Sequence, residues 1–224
     1  MGQSRGVLDE GVERILNDNR GSLSRAHGGL VSAVENADVR SILVTSCNRQ
    51  EGKTVTAIAL ASALARQADA QVLLIDGNHA NPCIHRHFNL SPEAGLSEYL
   101  SATADLDDVI CATADPCLKV ITLGKPTAPL ANLVRIDGAG NRLTSLREKF
   151  DYVVCDGSSV LEEADLVSIA RRFDGVLLVV ECERTRWEVA QTAKEQLTKA
   201  GGKLIGATLN KRRYYIPHAI YSGA

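Results

Sequence analysis

Gly52, Lys53 and Thr54 follow one another a few residues after the short apolar run SILVT, and these are residue types that can hold a phosphate together with its counter-ion. Main-chain N–H groups at a helix start surround phosphate oxygens, a lysine neutralises them, and the next hydroxyl ligates Mg²⁺. Glu51 and Val55, on either side, would add main-chain donors to the same cradle. The strict GxxxxGK[ST] pattern requires glycine at position 47, where this chain has Cys47. GKT alone therefore fits a solvated turn before a helix equally well.

Two carboxylates change that balance. Asp76 comes directly after the apolar run VLLI, and Asp156 directly after YVVC. Singly, an aspartate at a strand end can serve only to cap a helix or to start a turn. Two of them on the strand edge that carries GKT suit a metal site instead. There a carboxylate ligates Mg²⁺, directly or through water, or accepts a proton from an attacking hydroxyl, and the chemistry is phosphoryl transfer.

The elements that must position these residues are short β-rich apolar runs separated by helical stretches. Six strands are predicted: 41–45, 71–75, 118–122, 152–155, 175–180 and 203–209. Strands this uniformly apolar are buried on both faces, which implies an α/β fold with a mostly parallel sheet sandwiched by helices. Ligands of such sheets sit beyond the carboxyl ends of the strands. Ala57 to Ala65 is apolar nearly all round, as befits a helix buried on the sheet. From Trp187 to Ala200 the spacing predicts an amphipathic helix, with Trp187, Ala190, Ala193, Leu197 and Ala200 on one face. A capping box of Thr185 and Glu188 would start it and Gly201 would stop it. Residues 1–30 read as a short helix and linker, 31–213 as the nucleotide-binding domain and 214–224 as a tyrosine-bearing tail.

A net charge of −2 over 224 residues, with 45% hydrophobic and 23% charged content, gives no bulk reason to expect nucleic acid as a partner. The apolar stretch Val55 to Ala65 is too short to cross a bilayer, and the opening MGQSRGVLDE lacks the order of a secretory signal, so a cytoplasmic location is expected. Six scattered cysteines without a CxxC pair read as free thiols. His79, His85 and His87 read as surface histidines.

Several stretches in one order resemble the cytoplasmic domain of bacterial protein tyrosine kinases, P-loop proteins of exopolysaccharide and capsule synthesis related to the MinD and ParA ATPases. They are SILVTSCNRQEGKT, VLLIDGNHANPCIHRHFNL, GLSEYLSATADLDDVI, FDYVVCDGSSVLEEADLVSIA, DGVLLVVE and EQLTKAGGKLIGATLNKRRYYIP, spanning about residues 35 to 217. The resemblance implies a P-loop NTPase fold, ATP and Mg²⁺ as ligands, and tyrosine autophosphorylation that regulates polysaccharide export. By position it implies that Lys53 and Thr54 hold phosphate and metal, that Asp76 helps to deprotonate the acceptor tyrosine, and that Asp156 binds Mg²⁺. Asn210, with Lys211 beside it, would hold the adenine. The resemblance implies a tail whose tyrosines a neighbouring copy phosphorylates, with self-association, and Tyr214, Tyr215 and Tyr221 are the candidates; Tyr214 and Tyr215, beside Lys211, Arg212 and Arg213, fit a surface or packing patch, and Tyr221 fits either role. A membrane polysaccharide co-polymerase, or chain-length-determinant adaptor, is the implied partner and would bring the protein to the inner face of the membrane.

The departures from the family pattern fall on the chemistry. Asn78 stands where a second aspartate is usual, which predicts weaker Mg²⁺ binding and slower turnover. Arg49 and Gln50 replace a common Pro-Gly, and a side chain at position 50 restricts the turn. Gly157, Ser158 and Ser159 replace Thr-Pro-Pro, which predicts a looser loop after Asp156. No ExxRxxR ring-assembly motif precedes the loop. Two readings stay open: an autokinase, and a non-catalytic or weakly catalytic ATP-binding regulator of a membrane partner. A partitioning ATPase of the ParA or MinD type has less behind it, because Asn48 occupies the place of that group's second lysine.

Overall fold

The structure is a computed structural model that describes residues 6–10, 12–13, 23–68, 70–125, 128 and 130–211. Tyr214, Tyr215 and Tyr221 lie outside the described residues, as does much of the segment before residue 23.

Seven strands form one sheet: β1 (Ser41–Ser46), β2 (Val72–Asp76), β3 (Ile110–Ala112), β4 (Leu118–Ile121), β5 (Tyr152–Ser159), β6 (Gly175–Glu181) and β7 (Leu204–Asn210). Their order is β3-β4-β2-β5-β1-β6-β7, with β3 antiparallel to β4 and every other pairing parallel. The six strands expected from the sequence are present. The seventh, β3, was missed because its three half-buried residues, ICA, are too short to carry a period.

Neighbouring residues of each central strand feed opposite cores. Leu43, Leu73, Ile75, Val153, Cys155, Val176 and Leu178 point to one side, and Ile42, Val44, Val72, Leu74, Val154, Leu177 and Val179 to the other. The first core is closed by α4 (Leu96–Leu100), α5 (Leu106–Val109), α6 (Leu130–Leu133), α7 (Ala139–Lys149), α8 (Ala164–Ile169) and α9 (Trp187–Lys199). The second is closed by α1 (Leu23–Asn36), α2 (Lys53–Ala68) and α3 (Ile84–His87). Full burial of a Leu, Ile or Val is worth about 1.5–3 kcal/mol, so this two-sided packing is what holds β1, β2 and β5 in place beneath the site. The segment from Gly6 also lies against the sheet: its N–H donates to Ala112 O at 2.7 Å, and Val12 is buried beside α2.

Two local expectations are corrected. The stretch Gly157–Ser159 is not a loose loop but the buried end of β5. Without proline its N–H groups can pair, a bulge opposite β1 absorbs the irregular register, and the Thr45 hydroxyl donates to Ser158 O at 2.6 Å. The helix after β6 starts with Arg186 as N-cap and no side-chain cap, and Trp187 is 75% exposed rather than on the buried face. Thr185 is unavailable for capping because its hydroxyl is used elsewhere, as described below.

Candidate functional site

The turn between β1 and α2 is shaped by backbone geometry that few residues adopt. Gly52 has φ +91°, and a Cβ there would stand 2.0 Å from Asn210 Nδ2, so only glycine fits. Gln50 is held in the left-handed region at φ +62°, so the side chain at this position is accommodated at the cost of local strain rather than excluded. Its carbonyl accepts a hydrogen bond from Lys211 Nζ, which also lies 3.3 Å from Glu181 Oε2. From Lys53 onward the chain is helical; the Thr56 N–H donates to Gly52 O at 3.0 Å, and those of Lys53, Thr54 and Val55, ahead of it, are left for a ligand.

Glu51 does not offer its side chain to a ligand. It is 2% exposed, and its carboxylate closes the turn on itself. Oε2 accepts the Cys47 N–H at 2.9 Å, and Oε1 accepts Asn48 Nδ2 at 2.9 Å and the Thr185 hydroxyl at 2.5 Å. Asn210 Nδ2 donates to Glu51 O at 2.9 Å. The strand ends of β6 and β7 thus brace the turn from the side where the strict motif would carry glycine. Burial, and the Glu51 charge after it, push the Cys47 thiol up to about 12, so it is an inert packing group.

Asp76 and Asp156 are paired across β2 and β5 and are both fully buried. Thr54 Oγ1 donates to Asp156 Oδ2 at 2.6 Å, while Asp156 Oδ1 is buried with no partner. Asp76 is better satisfied: Oδ1 accepts the Asn78 N–H at 3.1 Å, and Oδ2 accepts those of Cys83 and Ile84, each at 3.0 Å. Burial pushes both carboxyls up. The Asp76 charge raises Asp156 further, while Lys53 and Thr54 pull it down; main-chain donors and Lys53 pull Asp76 down. A hydroxyl and two carboxylates, one with an orphaned oxygen, are a donor set that suits Mg²⁺, which takes one or two carboxylates and keeps several waters. The cleft above has a volume of about 360 Å³ and is lined by Gly52, Lys53, Thr54, Val55, Asn78 and Ser159 among others, with the Arg49–Glu162 ion pair at its rim, 2.5 Å between Nε and Oε2.

The sequence-predicted residues Glu51, Gly52, Lys53, Thr54, Val55, Asp76, Asp156, Asn210 and Lys211 all lie at this one edge. Thr185 and Glu162 were missed, because nothing local to either residue signals a contact with a turn more than a hundred positions earlier.

Tyrosine-protein kinase CpsD of Streptococcus agalactiae serotype III (strain NEM316) is 35% identical over 175 residues, covering 76% of this chain and 73% of the relative. Tyrosine-protein kinase YwqD of Bacillus subtilis (strain 168) is 30% identical over 175 residues, covering 78% and 73%. This chain belongs to the bacterial tyrosine-protein kinase family. The fold agrees with that membership. The crystal structure of the chimerical protein CapA2B2 matches with a TM-score of 0.83 at 27% identity, covering 95% of this chain and 96% of that one. The kinase domain of the Escherichia coli tyrosine kinase ETK matches at 0.82 and 25%, covering 96% and 94%. The cell division ATPase MinD of Pyrococcus furiosus, at 0.64 and 24%, shares the fold alone. No family model matches the chain. Against its kinase relatives, the chain presents its loop, its paired aspartates and its cleft on a sheet of the same construction.

Proposed function

We propose that the chain binds Mg·ATP at the turn from Glu51 to Val55 and transfers the terminal phosphoryl group to a tyrosine of another copy. The observation that carries this reading is the Thr54–Asp156 contact of 2.6 Å next to the orphaned, buried Asp156 Oδ1, with Asp76 paired alongside. When bound, Mg·ATP supplies an electrophilic phosphorus and a cation that offsets charge on the departing diphosphate. Gly52, Lys53, Thr54 and Val55 give main-chain donors to the phosphates, and Lys53 adds a fixed positive charge. Thr54 and Asp156 hold the metal from the protein side, with Asp76 beside them. Asp76 takes the proton of the attacking tyrosine hydroxyl, its basicity raised by burial. The acceptors are Tyr214, Tyr215 and Tyr221 of a neighbouring copy.

Asn210 faces the adenine in this reading. One Nδ2 hydrogen is bound to Glu51 O, which fixes the orientation of the amide, and Oδ1 accepts from the exocyclic amine. Lys211 acts from behind, through Gln50. The family resemblance supports a membrane polysaccharide co-polymerase as partner and a place at the inner face of the membrane. No helix among the described residues is long and apolar enough to cross a membrane.

Incubating the purified full chain with Mg·ATP and probing for phosphotyrosine tests the proposal. Signal in the wild type and silence in Lys53→Ala supports it; no signal in the wild type overturns it. One observation favours the second reading, a nucleotide-binding regulator without phosphotransfer: both Asp76 oxygens already accept main-chain N–H bonds, which blunts a general base. That reading expects nucleotide binding by calorimetry with no phosphotyrosine.

A further inference from the structure

Asn78 is 2% exposed and lines the cleft together with Gly52, Lys53 and Thr54. Its main-chain N–H is held by Asp76 Oδ1 at 3.1 Å. Its side-chain Oδ1 accepts the Asn81 N–H and the Ser158 hydroxyl, each at 3.3 Å. A main-chain N–H can only donate, so the amide atom facing Asn81 is the oxygen and the other is Nδ2. That Nδ2 is buried and has no partner. A buried amide donor without an acceptor is costly, and such groups persist where a ligand supplies what the protein withholds.

We propose that Asn78 Nδ2 donates to the terminal phosphate of the bound nucleotide and so makes the site prefer a triphosphate to a diphosphate. The proposal rests on the nucleotide-binding reading above and adds a role that the replacement of a carboxylate alone would not suggest. Position 78 lies just beyond the end of β2, whereas the phosphate-binding turn leaves β1, and β5 stands between those two strands. A group reached from the β2 side as well as from the turn is one that projects out of the cradle, which describes the last phosphate. Charge points the same way. Of the two cations that line the cleft, Arg49 is bound to Glu162 and Lys53 makes no carboxylate ion pair among the described residues, so a neutral donor at position 78 adds attraction for an anion where a carboxylate would repel it.

Calorimetric titration of the full chain with Mg·ADP and with the slowly hydrolysed Mg·ATPγS reads this directly. Asn78→Ala is expected to lose about tenfold or more in ATPγS affinity, the loss of one hydrogen bond to a charged group, while ADP affinity moves less than about twofold. Asn78→Asp keeps the acceptor contacts to Asn81 and Ser158, so it guards against a folding artefact, and it is expected to show the same selective loss. Equal losses for the two nucleotides, or none, in Asn78→Ala would overturn the proposal. A gain in ATPγS affinity for Asn78→Asp would assign the position to the metal and overturn it too. If the wild type binds neither nucleotide, the underlying reading falls as well; if it binds both and the ratio does not move, only the role of Asn78 falls.

Discussion

The Thr185 hydroxyl, at the foot of α9, donates to Glu51 Oε1 at 2.5 Å across 134 positions of sequence. The same carboxylate takes the Cys47 N–H, so one buried side chain ties the turn after β1 to the loop after β6. A cradle of main-chain donors is useful only if its shape survives the repulsion of the phosphates it binds, and this tie supplies the stiffness.

Removing it has graded consequences. Glu51→Ala leaves the buried Cys47 N–H unsatisfied and is expected to cost about 2–3 kcal/mol in urea unfolding. Thr185→Val, which keeps the shape and deletes the hydroxyl, should cost about 1 kcal/mol. Nucleotide affinity measured by calorimetry should fall in both, more in Glu51→Ala.

Among the described residues, Thr54 is the one donor to the Asp156 carboxylate, at 2.6 Å. Thr54→Ala removes a metal-side group and leaves both Asp156 oxygens without one. The Mg²⁺ concentration needed for half-maximal nucleotide binding, followed with a fluorescent adenine nucleotide, is expected to rise by about 10- to 100-fold. An unchanged midpoint would remove Thr54 and Asp156 from the metal site.

Asn210 spends one of its two Nδ2 hydrogens on Glu51 O, which fixes the orientation of the amide and leaves Oδ1 as an acceptor for the base. ATP, with an exocyclic amine, should therefore compete for the site at least about tenfold better than ITP, which carries an oxygen at that position. Equal competition would place the base elsewhere.

Asp174 gives the fold a dependence on acid. Partial burial works to raise its carboxyl, but the N–H and hydroxyl of Ser41, each at 2.9 Å, outweigh it together with Arg147 and the Arg40 N–H, and the group lies below its ordinary value of 3.8. A carboxyl depressed in the folded state stabilises above its unfolded pKa and loses that contribution as pH falls through the folded one. Asp174→Ala should cost about 2 kcal/mol at pH 7. The unfolding curves of variant and wild type should draw together below pH 3.8, which thermal melts at pH 7, 5 and 3 would register.

How much of this was legible in the sequence depends on the range of the physics involved. Continuous apolar runs report burial on both faces wherever they occur, so 71–75, 152–155 and 175–180 announced themselves as buried strands of a mostly parallel sheet. GKT after such a run, with aspartates ending two others, located the site edge, because strand ends of a parallel sheet share an edge. Three half-buried residues carry no period, and β3 went unseen. The missing prolines at 157–159 suggested freedom where the fold imposes a buried strand, since an N–H that is free to pair will pair once a neighbour is present.

By itself the sequence determined the layered architecture and the chemical character of the site, since both follow from local patterns of apolar and charged residues. Tertiary structure alone decided which side chains line the cleft and which are spent on bracing the loop. Glu51, next to the glycine, turned out to be a brace; Thr185 left its helix to hold it; and Asn78 was left with one buried donor to spare. Hydrogen-bond partners brought together by chain folding from positions more than a hundred residues apart leave no local trace, and it is their geometry that sets what the cleft can bind.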